Sequence, residues 1–402
     1  MQYLSLKFYI FLLLLLAAYY AMPKNRRYAV LLLGSIVFYV SISGSGIFFL
    51  ALAAAAGFFG GLLIDRAASR VRRRAYLFFS SVLCLSPLLI IRASGFFSPS
   101  GIIVPLGISF YTLQIISYLA DVYLAKIKSE KNVLIFSLFV SFFPQIVQGP
   151  IPRYGALAAQ LREGHSFDEG KFVRGFQLIL WGFFLKYMIA DKAGIFVSAV
   201  FASPESFSGA FSLAAGILYS VQLYADFYAC TCISRGVSRL FGIELARNFD
   251  RPYFACGIKD FWRRWHMSLS GFLRDYIYIP LGGGRKGALR KYINIMLTFL
   301  ASGLWHGGGL TFIFWGALHG IYQICEDILF PSGKREKRAS AAVAVLSRAV
   351  TLFLVMLAWI VFRADSLSSG LYMIGAIFTD FDFSSLLTGE IFALGLRRKE
   401  FL

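Results

Sequence analysis

The chain has 402 residues, of which 58% are hydrophobic and only 15% are charged. Its mean hydropathy of +0.68 excludes a water-soluble globular protein. A membrane-spanning helix takes about 20 apolar residues, so we expect an all-α polytopic membrane protein with about 10 or 11 transmembrane helices and some re-entrant or interfacial helices. Residues 1–402 are predicted to form a single integral membrane domain.

Basic residues exceed acidic ones by 40 to 21, a net charge of +19. They lie in short links between apolar runs, whereas the intervening links 41–46 and 93–101 contain no Lys or Arg. This alternation is the positive-inside pattern, so we expect the basic links in the cytoplasm beside anionic lipid headgroups and no nucleic-acid partner. The basic residues are Lys24, Arg26, Arg27, Arg66, Arg70, Arg72, Arg73, Arg74, Lys126, Lys128 and Lys131, with a later cluster at Lys334, Arg335, Lys337 and Arg338.

The apolar runs predict most helices of the chain in order. The first six are expected at about 8–22, 28–42, 47–64, 75–92, 102–123 and 133–148, and later ones at 172–190, 208–228, 292–305, 309–329 and 341–362. The segment FPQIVQGPIPR at 143–153 breaks the pattern with three prolines and a glycine. Irregular backbone can lie at membrane depth only where protein or a water-filled cavity surrounds it, so we expect one of these surroundings for this segment.

The polar, aromatic stretch 242–291 contains a segment, 259–279, that we predict to be one amphipathic helix. Trp262 and Trp265 belong to its apolar side, and His266 lies at the border, one turn from Ser270. Such a helix is typical of the membrane interface or of the wall of a funnel.

The candidate catalytic residues are histidines. Only four occur: His165 in a polar loop, His266, His306 and His319. A histidine at membrane depth is costly and usually faces a cavity or a partner, so His306 and His319 are site candidates. Three glycines follow His306 and allow a close approach, whereas His319 has an alternative role in helix packing. A neutral histidine that takes a proton from a hydroxyl suggests acyl transfer.

Other types of site find less support. The five cysteines are an odd number without a C-x-x-C pair, so we expect neither a metal site nor a disulfide framework. The loop LGGGRKG at 281–287 is able to bind an anion through backbone N–H groups and Arg285 or Lys286, but the motif alone favours a flexible cytoplasmic turn.

Two of these segments resemble the signatures of the membrane-bound O-acyltransferase family, in the bacterial branch of alginate O-acetylation proteins and teichoic acid D-alanyl transfer proteins. The first segment runs from Asn248 to Gly287 and contains KDFWRRWHMSLSGFLRDYIYIPLGGGRKG. The second is SGLWHGGGLTFIFWGALHG at 302–320. Weaker matches at 107–123 and 143–153 extend the resemblance over residues 107–320.

The resemblance implies a ring of helices around a central tunnel that admits a thioester donor from the cytoplasm, and a funnel that admits the acceptor from outside. His306 matches the essential histidine of the family and His266 its second signature histidine, one of them the general base. His319, Asp226, Trp305 and Arg264 are supporting candidates, and Arg285 and Lys286 are candidate donor-binding residues. Where the family usually has a second acidic residue, this chain has Cys232. It also ends at Leu402, before the further spans of many relatives.

Our leading hypothesis is an O-acyltransferase of the bacterial cytoplasmic membrane with no bound cofactor. It would move an acetyl or similar small acyl group from acetyl-CoA or an acyl carrier protein to an extracytoplasmic polysaccharide or a partner protein. D-alanyl transfer to teichoic acid is an alternative. A transporter or flippase without covalent chemistry is an alternative of another class.

Overall fold

The computed structural model describes residues 5–97, 105–330 and 341–386. Within these ranges the chain forms α-helices, short 3-10 turns and two π-helical segments, and no strand. The all-α class is therefore confirmed. The basic cluster at 334–338 and the chain end at Leu402 lie outside the described residues.

The chain divides into two compact units. The first comprises Met1–Phe183 and Ala229–Arg247, and the second comprises Phe184–Tyr228 and Asn248–Leu402. Helices of the first unit are α1 (Leu6–Ala21), α2 (Arg27–Ser43), α3 (Ile47–Arg66), α4 (Arg70–Phe97), α5 (Ile108–Tyr123), α6 (Val133–Ser141), α7 (Tyr154–Glu163) and α8 (Glu169–Phe184).

Close helix packing in the first unit depends on small residues of α3. A Cβ atom at Gly57 would contact the Ile115 side chain at 2.5 Å, and one at Gly61 would meet the Tyr118 hydroxyl at the same distance. Glycines spaced by one helical turn let the backbones approach, which is how membrane helices commonly pack. Phenylalanine rings fill the remaining space, as where Phe8 contacts Phe38 at 5.7 Å between ring centroids.

The basic link before α4 lies beside the basic link after α5. Arg73, at the start of α4, donates hydrogen bonds to the carbonyls of Val122 and Tyr123 at the end of α5 (3.1 and 2.8 Å). At the opposite end of α5, Leu106 N–H donates to Oγ of Ser43, the last residue of α2, at 3.2 Å. The basic links at 66–74 and 126–131 therefore lie at one end of α5, and the link 41–46, which has no basic residue, lies at the other, as the alternation predicts. Which end faces the cytoplasm stays a prediction.

The sixth predicted helix is shorter than the sequence pattern indicates. We expected it over 133–148, but α6 ends at Ser141, and turns replace the helix from there to the prolines of FPQIVQGPIPR. Phe143, Gln145 and Ile146 are all buried. The predicted break in the helix is confirmed, and of the two expected surroundings the structure shows protein around these residues.

The second unit contains the two signature segments. Its helices are α9 (Asp191–Ala202), the first part of α10 (Gly209–Leu240), α11 (Ile258–Arg264), α12 (Met267–Leu273), α13 (Ala288–His306), α14 (Leu310–Leu329), α15 (Ala341–Arg363) and α16 (Leu367–Thr379), with π-helical segments at Leu185–Ala190 and Arg274–Tyr278. α13 and α14 form a tight antiparallel hairpin, because a Cβ atom at Gly316 of α14 would overlap the Phe299 carbonyl oxygen of α13.

Three segments of the described chain are long and apolar enough to cross a membrane: Lys24–Arg66, which holds α2 and α3, then Arg70–Ala93 and Ala341–Arg363. Several other expected spans are short or interrupted helices, such as α6 with nine residues. The chain is thus a polytopic membrane protein, and the expected number of about 10 or 11 spans stays a prediction.

Candidate active site

His266 lies at a break in the helix that the sequence predicts over 259–279. That prediction is wrong, because α11 ends at Arg264 and α12 begins at Met267. Between them His266 has φ +42°, in the left-handed region that few non-glycine residues adopt. Asn248 stabilises the break, since its carbonyl oxygen accepts from Met267 N–H (2.9 Å) and its Oδ1 accepts from Ser268 N–H (3.2 Å).

The break turns His266 from the border of an amphipathic helix into the interior. It is 1% exposed, and its ring packs edge-on against Phe227 at 4.7 Å between centroids. His266 belongs to the stretch that the sequence places outside the membrane spans. Burial lowers the pKa of His266 well below its usual value, and the nearby His306 lowers it further. The imidazole is therefore neutral at physiological pH.

His306 is the last residue of α13 and is partly buried. Gly307 follows in extended backbone, where a Cβ atom would overlap the Phe312 ring, so the position requires glycine. The His306 ring contacts the rings of Trp305 at 4.7 Å and Phe362 at 5.3 Å. Trp305 also contacts His266, at 6.0 Å between centroids, and the two signature histidines thus share one neighbour.

His319 is fully buried in α14. Its Nδ1 accepts a hydrogen bond of 3.3 Å from Nε1 of Trp262. Since an indole N–H only donates, the neutral His319 must carry its proton on Nε2. The ring of Trp315 contacts both His306 (5.1 Å) and His319 (5.0 Å), so tertiary packing brings together two histidines that are 13 residues apart.

The other supporting candidates have different surroundings. Asp226 on α10 forms an ion pair of 2.8 Å with Lys186, which also pairs with Asp191 at 2.8 Å. Asp226 is next in sequence to Phe227, which contacts His266. The guanidinium of Arg264 is held by Asp260 at 2.9 Å, one helical turn earlier, and this hydrogen bond raises the pKa of Arg264.

A cavity of about 640 Å³ lies in the second unit beside Trp262. Four cations and one carboxylate line it, together with aromatic and apolar side chains, and none of the histidines is among its lining residues. The charged lining residues are Lys259, Arg263, Arg274, Lys291 and Asp327, and the others are Trp262, Met267, Ser270, Gly271, Leu273, Tyr278, Ile295, Thr298, Phe299 and Gln323.

Charged and aromatic side chains share the cavity wall. Lys291 is in the first turn of α13, close to Asp327 near the end of α14, whereas Phe299 is eight residues further along α13. Trp262 and Phe299 contact each other at 5.3 Å between ring centroids. Because Trp262 also donates to His319, its indole lies between the cavity and the buried histidine. A molecule with an anionic group at one end and an uncharged tail fits this arrangement.

Arg285 and Lys286 are exposed on a loop and are not among the cavity-lining residues. Asn294 of α13 anchors this loop, because its Nδ2 donates to the carbonyls of Leu281 (3.3 Å) and Gly283 (2.9 Å). Sequence reasoning missed the cavity cations Lys259 and Lys291. The sequence does contain one indication of them: Asp327 is an acidic residue at the end of an apolar run, and such a residue usually has a basic partner.

His165 lies in the first unit and has a structural environment. Its ring Nε2 is 2.9 Å from the Gln160 carbonyl oxygen, and its backbone N–H donates to the Tyr19 hydroxyl at 3.1 Å. Among the residues that the structure describes, no group of three or more His, Cys, Asp or Glu side chains is placed to hold a metal ion.

Comparison with known proteins agrees with the resemblance read from the motifs. Residues 124–368 match the profile of the membrane-bound O-acyltransferase family. A probable alginate O-acetylase of Pseudomonas fluorescens is 35% identical over 88% of this chain and 70% of its own length. A peptidoglycan O-acetyltransferase of Helicobacter pylori is 33% identical over 86% of this chain and 69% of its own length.

A more distant similarity points to the other branch. A teichoic acid D-alanyltransferase of Bacillus subtilis is 28% identical over 60% of this chain and 63% of its own length. Four further probable alginate O-acetylases are 37 to 39% identical, and the chain spans only 52 to 59% of their length.

Proposed function

The chain belongs to the membrane-bound O-acyltransferase family, and from this premise we propose that it transfers a small acyl group, such as acetyl, from a thioester donor to a hydroxyl group. The family recognised in the sequence and the predicted enzyme class, an O-acyltransferase, are confirmed. The observation that carries the proposal is the shared packing of His266 and His306 on Trp305.

In the proposed reaction a hydroxyl oxygen of the acceptor attacks the carbonyl carbon of the thioester. One histidine takes the hydroxyl proton, the new C–O bond forms, and the C–S bond breaks to release the donor as a thiol, which receives the proton. His306, partly exposed at the end of α13, suits the role of base. His266, buried and neutral, suits that of an N–H donor to the carbonyl oxygen.

For the donor we propose the cavity beside Trp262. Its four cations suit the phosphate of coenzyme A or of a carrier protein's arm, and its aromatic side chains suit the neutral arm that would carry the thioester toward the histidines. Lys259 and Lys291 replace Arg285 and Lys286 as the main donor-binding candidates, because only the former line the cavity.

For the acceptor we propose a polysaccharide on the outer side of the membrane, or a partner protein that completes the transfer. The relatives named as O-acetylases of alginate and peptidoglycan support acetyl transfer to a polysaccharide. The similarity to a teichoic acid D-alanyltransferase supports D-alanine as the second candidate for the acyl group. Since the protein is a membrane protein and these relatives are bacterial, we place it in the bacterial cytoplasmic membrane.

The deciding experiment measures the ester content of cell-surface polymers by mild alkaline release and mass analysis. Cells would carry the wild type, His306→Ala, His266→Ala or His165→Gln at matched membrane abundance. We expect both site variants to lose an acid that the wild type supplies, and the mass of that acid identifies the acyl group. His165→Gln, which changes a histidine of the first unit, should retain it. An unchanged ester content in both site variants would overturn the proposal and favour the alternative of a transporter or flippase.

A further inference from the structure

The cavity beside Trp262 holds one carboxylate, Asp327, against four lining cations. One carboxylate oxygen of Asp327 pairs with Lys259 and the other with Lys291. The Asp327 side chain is 8% exposed, while the two lysines are about one-third exposed. Both cations therefore keep some access to solvent while sharing a buried counter-ion.

These three residues come from three helices. Lys259 is in the first turn of α11, Lys291 is in the first turn of α13, and Asp327 is near the end of α14. A second tether joins α11 to α14, because Glu326 accepts hydrogen bonds from the backbone N–H groups of Ile258 and Lys259. Asp327 is therefore able to release both lysines without detaching α11.

A phosphate group offers the same kind of acceptor as a carboxylate with more oxygens, and a terminal phosphate also carries more charge. Lysine is a common phosphate ligand, and a phosphate in a partly buried site competes well for two ammonium groups. Arg263 and Arg274 also line the cavity, so an entering phosphate gains attraction beyond the two lysines.

We propose that Asp327 is an internal counter-ion, which holds Lys259 and Lys291 when no donor is bound and yields them to a phosphate-bearing part of the acyl donor. This inference rests on the proposed function, since it assigns the donor to this cavity. Competition from Asp327 weakens donor binding, which helps the spent donor to leave. It also favours donors with phosphate over neutral thioesters, because only a phosphate is able to displace the carboxylate.

The test compares two ligands that differ in one phosphate, 4′-phosphopantetheine and pantetheine, on the full chain in lipid nanodiscs by calorimetry. The phosphorylated arm is common to coenzyme A and to acyl carrier proteins. We expect Asp327→Asn to lower the Kd of 4′-phosphopantetheine by about tenfold, and Lys259→Met or Lys291→Met to raise it by about tenfold. The Kd of pantetheine should change less than twofold in every variant. Asp365→Asn, at an exposed carboxylate that does not line the cavity, is the matched control.

Pyrophosphate tests whether the cavity binds a phosphate group in the wild-type protein. This experiment needs no substitution, so it remains informative if a variant does not fold. Pyrophosphate should compete with 4′-phosphopantetheine for the wild-type protein and leave pantetheine binding unchanged. Weaker or unchanged phosphopantetheine binding in folded Asp327→Asn would overturn the counter-ion role, as would failure of pyrophosphate to compete. The proposed function is tested separately by the ester content of the surface polymers. If the histidine variants lose esters but Asp327→Asn does not bind 4′-phosphopantetheine more tightly, or pyrophosphate does not compete, only the counter-ion role of Asp327 is rejected.

Discussion

The indole Nε1 of Trp262 donates a hydrogen bond of 3.3 Å to Nδ1 of His319, and the same indole lines the charged cavity. One side chain thus forms a wall of the proposed donor site and fixes the tautomer of a buried histidine. Trp315 contacts both His319 and His306, so the contacts of Trp262 continue through His319 and Trp315 to His306. Substitutions at Trp262 should therefore affect the histidines as well as the cavity.

Trp262→Phe keeps an aromatic ring but removes the N–H donor. His319 Nδ1 would then be a buried acceptor without its partner, which costs about 1 to 3 kcal/mol of stability. We also expect the ester content of surface polymers to fall several-fold, because His319 loses its fixed tautomer. Thermal unfolding in nanodiscs and ester release measure the two effects. Trp181→Phe, at a half-exposed tryptophan of α8, should change neither. A Trp262→Phe protein equal to the wild type in both would show that this hydrogen bond is dispensable.

Gly316→Ala places a methyl group against the Phe299 carbonyl oxygen and must push α13 away from α14. We expect a stability loss of about 1 to 3 kcal/mol, together with reduced transfer because His306 and His319 lie on these two helices. Gly375→Ala in α16 is the matched control, since nothing lies within 4 Å of the added Cβ atom. There the higher helix propensity of alanine should raise stability by roughly 0.5 to 1 kcal/mol. Equal stability of the two variants would contradict the close packing of the hairpin.

Asp226→Asn tests whether the carboxylate supports the site or only neutralises Lys186. Lys186 keeps Asp191 in this variant, so the protein should remain folded, with a loss of about 1 kcal/mol or less. We expect ester transfer to fall more in Asp226→Asn than in Asp191→Asn, because Asp226 is next to Phe227, which contacts His266. The ester assay at matched membrane abundance compares them directly. Equal activities would assign Asp226 a purely structural role.

The stability of the chain should fall as the pH is lowered from about 7 to 5. Burial lowers the pKa of both His165 and His266 in the folded state, so below about pH 6.5 the unfolded chain binds protons that the folded chain does not. Each histidine contributes at most about 1.4 kcal/mol per pH unit. His165→Gln should make this fall less steep, which unfolding scans at several pH values will measure. A slope unchanged by the substitution would show that His165 does not contribute.

The sequence by itself determined the membrane class, the helical content and the family. These properties follow from local quantities, namely the length of apolar runs and the residue types of two short signatures. The same local information marked His266, His306 and His319 as candidates, and their roles stay predictions. It also located the irregular segment after α6, because clustered prolines interrupt a helix whatever surrounds them.

Only the tertiary structure decided where His266 points and which charges face the cavity. The helical wheel assumed continuous helix over 259–279, but backbone contacts from Asn248, about 20 residues earlier, stabilise a left-handed residue at 266. Asp327 meets Lys259 across 68 positions of the chain, and Trp262 meets His319 across 57. Such pairs form when helices that are distant in sequence pack together, and periodicity along one segment carries no information about the neighbour on which it packs.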